Sequence, residues 1–169
     1  MRDLRRQNGF SFIEILISVI LVGLSITALV VASSSFTVAN GAGADLSTAE
    51  FLIEQIRELT TLLPLVDPTT TVWNSLGAEG GESSLAAYDD VDDFDGFDST
   101  SLGAPIDANR STLPTLNAFS QSVTVQKVNQ SDFTQVVSDL NGSPFARVTV
   151  VVSLNGREIS SASWIRANF

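Results

Sequence analysis

The chain contains no cysteine and no histidine, and its only lysine is Lys127. Without thiolate or imidazole there is no zinc or haem ligation of the usual kind, no thiol nucleophile and no Ser-His-Asp triad. No disulfide can form, so an exported domain must rest on its own core. Basic residues are scarce as well: 9 Lys+Arg stand against 19 Asp+Glu, a net charge of −10. Nucleic acid, whose phosphates demand a basic face, is not an expected partner. The 169 residues leave room for one domain with an appendage. Most groups used in acid–base catalysis are missing, and a non-enzymatic role is expected.

What the chain does have is one long apolar run. Residues 10–32 are almost wholly apolar, interrupted by Glu14, Gly23, Ser11, Ser18, Ser25 and Thr27. As a helix these 23 residues reach about 35 Å at ~1.5 Å per residue, enough for the hydrocarbon core of a bilayer. Ahead of the run, residues 1–9 carry Arg2, Arg5 and Arg6 against Asp3. Positive charge before the span places residues 1–9 in the cytoplasm and the bulk of the chain outside.

Three readings compete for this segment. A secretory signal peptide could be cut near Val30-Val31-Ala32, but the run exceeds the ~7–15 residues of a normal apolar region. A plain single-pass anchor leaves Glu14 unexplained, since a carboxylate near mid-bilayer costs roughly 2.5–3.5 kcal/mol. The third reading rests on Gly9-Phe10-Ser11-Phe12-Ile13-Glu14, set between a short basic leader and a long apolar run.

That string resembles the type IV prepilin motif, shared by type IV pilins, type II secretion pseudopilins and competence pseudopilins. The resemblance implies cleavage by a membrane-embedded prepilin peptidase after Gly9, on the cytoplasmic side. It makes Phe10 the first mature residue, N-methylated by the same peptidase, and Glu14 the acid of the motif, which sets register in assembly. Ser11 and Phe12 stand where threonine and leucine are usual. The chemistry is coherent: glycine lets a peptidase approach the backbone, and cutting before the apolar run keeps the helix as an assembly handle. Cleavage creates a positive amine that Glu14, on its own chain or a neighbour, can neutralise. Paired charges lower the burial cost either would bear alone.

Beyond the run, Gly41-Ala42-Gly43 weakens helix by about 1 kcal/mol per glycine, and a bend or unwound stretch near 40–43 is expected. A new amphipathic helix is expected from Asp45, as N-cap, to about Leu63, ended by Pro64. Its apolar face would comprise Leu46, Ala49, Leu52, Ile53, Ile56, Leu59 and Leu63, with Glu50, Glu54, Arg57 and Glu58 opposite. Residues 65–118 read as loops, pinned by Trp73, Leu76, Leu85 and Tyr88, with a short helix near 83–88. Alternating β-branched runs then predict strands at 122–128, 133–139, 145–154 and 157–165. Asn155-Gly156 is the strongest hairpin signal, and Asn141-Gly142 marks another turn.

The expected fold class is α+β: a long N-terminal helix, membrane-spanning in its first half, packed at its distal half on a small antiparallel sheet. The prepilin resemblance implies the same layout, and the minor, PilV-like or I-type members are the nearest in pattern. The organisation expected is a leader at 1–9, a transmembrane and assembly helix at 10–40, and an exported head at 41–169. Expected partners are the prepilin peptidase, other pilin or pseudopilin subunits, an inner-membrane assembly platform and the lipid bilayer. The location expected is the bacterial inner membrane, then a pilus or pseudopilus. Without its net +2 leader the chain's charge of −10 becomes −12, which favours spacing between exposed heads. The rival reading is a monomeric, single-pass anchored binding domain.

One further segment stands out. Residues 88–98 hold six aspartates: Asp89, Asp90, Asp92, Asp93, Asp95 and Asp98. The spacing Asp93-x-Asp95-Gly96-x-Asp98 invites a calcium reading, because hard cations want several carboxylate oxygens on a loop. It is not an EF-hand, and no other cofactor is expected. A solvated acidic loop pinned to the head by Phe94 and Phe97, or a partner-binding segment with those rings exposed, accounts for the same residues.

Overall fold

The computed structural model describes residues 9–67, 76–138 and 143–168. The leader residues 1–8, Trp73 and the Asn141-Gly142 turn lie outside them. The chain divides into two units, Met1–Gly43 and Ala44–Phe169.

The first unit is helical from Phe12, the start of α1 (Phe12–Thr61). No residue of α1 before Ala49 is buried. An 18-residue window of mean hydropathy 2.8 lies wholly uncovered, so the helix is long and apolar enough to cross a membrane. Its small hydroxyls do not conflict with an apolar surrounding. Ser18, Ser25, Thr27 and Ser35 donate to the carbonyls of Glu14, Leu21, Gly23 and Val31, at 2.8, 2.8, 2.9 and 3.0 Å. Each hydroxyl proton thus finds a partner inside the helix, as lipid would require.

The break expected at residues 40–43 is absent: all four are helical. Asp45 is consequently an interior residue and caps nothing. Two glycines cost about 1 kcal/mol each, but a break also costs a second nucleation, and no proline forces one.

The second unit packs the end of α1 on a four-stranded antiparallel sheet. The strands are β1 (Phe119–Asn129), β2 (Asp132–Val136), β3 (Phe145–Leu154) and β4 (Arg157–Ala167), in the order β2-β1-β3-β4. Alternation decides the faces. Phe119, Gln121, Val123, Val125 and Lys127 of β1 are buried, as are Ala146, Val148, Val150 and Val152 of β3. The register sets Val123 opposite Val150 and Val125 opposite Val148, so both central strands turn one apolar face the same way. Ala49, Leu52, Ile53, Ile56 and Leu59 of α1 share that core. Leu46, expected on the same face, is instead exposed.

Side chains from β4 tie the helix down. Arg166 donates to the Thr61 and Leu63 carbonyls at 3.1 and 2.7 Å, capping the helix end before Pro64. The Arg57 guanidinium lies 5.2 Å from the Trp164 ring centre. The β3–β4 hairpin turns at Asn155-Gly156, with φ of 51° and 77°, the two left-handed residues of a type I′ turn.

Between α1 and β1 the described chain is loop with three 3₁₀ turns, at Asp92–Phe94, Ser99–Leu102 and Pro114–Leu116. Residues 84–87 form a turn rather than the helix expected near 83–88, closed by Ala87 N–H on the Ser84 carbonyl. Buried Gln121 anchors this connection. Its amide oxygen accepts from Ile106 N–H at 2.7 Å, and its amide nitrogen donates to the Leu52 and Ile106 carbonyls at 2.9 and 3.1 Å.

Candidate functional site

At the N-terminus, Gly9, Phe10 and Ser11 precede the first helical residue, Phe12. Phe10 is 83% exposed, so the Gly9–Phe10 bond lies in accessible, non-helical chain, as a protease requires. Glu14 falls in the first turn of α1, where its negative charge meets the positive end of the helix dipole. Its Oε2 accepts from Ser11 N–H at 3.1 Å. Ser11-x-x-Glu14 is therefore one half of a capping box, in which the third helical residue reaches back to the N-cap amide. The sequence signature of this local role is S-x-x-E.

Residues 4–30 match the family model described as the prokaryotic N-terminal methylation motif. This is the signature of type IV prepilin- and pseudopilin-like proteins. No curated protein and no solved structure matches the chain. The match spans Gly9, Phe10 and Glu14 together with most of the apolar run. That motif and the apolar N-terminal helix fit a single-pass inner-membrane protein.

In the head, the acidic segment departs in part from the sequence expectations. Asp90, Asp92 and Asp93 are 0%, 0% and 1% exposed, so this is not a solvated loop. Phe94 and Phe97 are buried too, which removes the idea of exposed rings docking a partner. The Phe94 ring packs edge-on against Tyr88 and Phe97, with ring centres 5.2 and 6.0 Å away. The pinning role expected of the two phenylalanines is what is observed.

The calcium triad expected from spacing does not assemble. Asp95 Oδ1 accepts from Val125 N–H at 2.8 Å, fastening the loop to β1, and Asp98 Oδ1 accepts from Thr100 N–H at 2.8 Å, capping a 3₁₀ turn. The carboxylates that do converge are Glu79, Asp90, Asp92 and Asp93, whose oxygens lie within 4.8 Å of one another. Glu82 and Asp89 form a second group around Asp93. Glu79 lies 11 residues before Asp90 and had no local signal linking it to the aspartates.

Local geometry explains how the acids come to be buried. Asp90 Oδ1 accepts from the amides of Asp92 and Asp93 at 2.8 and 3.2 Å. Asp93 Oδ2 accepts from those of Asp89 and Asp90 at 2.8 and 3.2 Å. Val91 N–H donates to the Pro64 carbonyl and Gly77 N–H to the Asp92 carbonyl, both at 3.0 Å, drawing the segment under the helix end.

The electrostatic consequence is large. Burial first, and then the neighbouring carboxylates, push Asp92 up to about 9 and Glu79 up to about 7. Burial likewise pushes Asp93 up to about 6, against the amides that hold it down. Lys127, buried at the end of β1, is pushed down to about 8 by loss of water, with the field of Asp92 opposing.

Proposed function

We propose that this chain is a non-enzymatic structural subunit, in the minor class, of a type IV pilus or type II secretion pseudopilus. The observation that carries the reading is a methylation-motif segment running into a helix whose 18-residue apolar window is wholly uncovered. Prepilin peptidase cuts between Gly9 and Phe10 and methylates the new amine. The basic leader keeps this end cytoplasmic and sends the head outward. An inner-membrane platform then adds the subunit to the filament, where other subunits' helices replace lipid around residues 12–38. Glu14 pairs with a Phe10 amine during that step and so sets register.

A second reading draws on the Ser11–Glu14 hydrogen bond. If Glu14 serves only as a helix cap, the chain is a monomeric anchored domain and the acid needs no neighbour. Glutamine separates the two, because capping needs an acceptor while pairing with an amine needs a charge. Glu14→Gln is expected to insert and be cleaved normally, yet to be depleted at least about tenfold from sheared filaments, roughly 1.4 kcal/mol of lost coupling. Wild-type incorporation of Glu14→Gln would refute the pairing and favour the cap.

A further inference from the structure

We propose that the head holds a hard divalent cation of the calcium class, coordinated by carboxylate oxygens of Glu79, Asp90, Asp92 and Asp93. Convergence of the four, within 4.8 Å, is the first observation. The second is independent of it. Asp92 is fully buried, belongs to that converging set, and neither of its oxygens has a hydrogen-bond donor. Asp90 Oδ2, Asp93 Oδ1 and Glu79 Oε2 are also buried without a donor. The loop amides thus take one oxygen each from Asp90 and Asp93, and the opposite oxygens are left in the cluster with both of Asp92's.

A buried anionic oxygen without a donor is costly, and several together repel. A cation removes both problems at once. With all four carboxylates ionised, as coordination requires, Lys127, whose charge acts on Asp92, offsets one of the four negative charges. A divalent ion would bring the remaining three to one.

The donor chemistry selects the ion. All ligands are carboxylate oxygens, which suit calcium, magnesium or manganese and not the softer metals that want nitrogen or sulfur. Calcium holds oxygens at about 2.3–2.6 Å, so ligands across one ion stand about 5 Å apart. Magnesium, at about 2.0–2.1 Å, confines them to about 4.2 Å and sheds water reluctantly. A cage built wholly of protein carboxylates suits calcium, since magnesium keeps several of its waters. Glu79 is only partly buried, and exposed Asp89 with half-buried Glu82 adds negative charge beside Asp93 that draws a cation in. Bound there, the ion would join the 76–82 segment to the 89–95 segment, which is already fastened to Pro64 and β1.

The test uses the full chain in detergent, with thermal unfolding and titration calorimetry in calcium, magnesium or chelator. Calcium at about 100 times its Kd should raise Tm by about 5–10 °C over chelator, with one ion per chain. Magnesium at equal concentration should give much less. Asp92→Asn should abolish the calcium shift, and Asp98→Asn should keep it. If Asp92→Asn does not fold, Glu79→Gln at the cluster's outer edge decides by the same criterion. Absence of a calcium-specific rise in wild type, or a rise that survives in the cluster variant, overturns the proposal. The readout is on purified chain and does not depend on filament assembly.

Discussion

Gln121 offers the sharpest test of how the head is held together. The residue is fully buried on β1, and its side chain joins three elements by hydrogen bonds to Ile106 N–H, the Ile106 carbonyl and the Leu52 carbonyl. Gln121→Leu keeps most of the volume and removes all three bonds. Ile106 is itself fully buried, so its N–H would be orphaned, at about 1–3 kcal/mol. The two lost bonds to carbonyls add about 1 kcal/mol each, and the apolar gain of leucine returns about 1–2 kcal/mol. The net is a loss of about 2–3 kcal/mol, or about 10 °C in Tm for a unit of this size. Urea unfolding of the full chain in detergent would show a lower midpoint with an unchanged slope. Gln121→Glu should be worse, because a buried carboxylate would then face two carbonyl oxygens. A Gln121→Leu variant within about 0.5 kcal/mol of wild type would refute the bridge, since that is the range of inert surface changes.

Three further outcomes follow from other contacts. Ile56→Ala empties a fully buried position on the helix face against the sheet and should cost about 2–5 kcal/mol in the same urea assay. Gly156→Ala places a side chain at φ 77° in the β3–β4 turn and should cost about 1 kcal/mol, whereas Asn155→Gly should be nearly neutral. Asp132 is held below its usual 3.8 by the hydroxyl and amide of Thr134. A depressed carboxylate stabilises above its unfolded value and loses that contribution as pH falls through the folded one. Amide protection at Thr134, measured by hydrogen exchange, should therefore be flat between about pH 5 and 7 and fall below 3.8.

The strands were legible because each signal was local. Alternating β-branched residues gave β1, β3 and β4 to within a few residues, and Asn-Gly placed the last hairpin. The apolar run was equally plain, since lipid-length hydrophobicity is a property of contiguous residues. The helix through Gly41-Ala42-Gly43 was misjudged because propensity counts each glycine alone, while a helix already nucleated on both sides pays the nucleation cost again if it breaks. The burial of the acidic loop was not legible, for the opposite reason. Six aspartates suggest water, but Val91, Phe94 and Phe97 between them carry the segment into the core, and Asp90 and Asp93 turn inward to bond its own amides. Glu79 and Lys127 reach the same place from distant parts of the chain, a juxtaposition that only the tertiary fold creates.

The proposed function requires that the N-terminal segment be a processed prepilin-type handle. Intact mass and N-terminal sequencing of the chain recovered from membranes, with and without co-expressed prepilin peptidase, test it directly. The expected chain begins at Phe10 and is one methyl heavier, only when the peptidase is present. A chain still beginning at Met1 in its presence, or one beginning at Ser33, would contradict it.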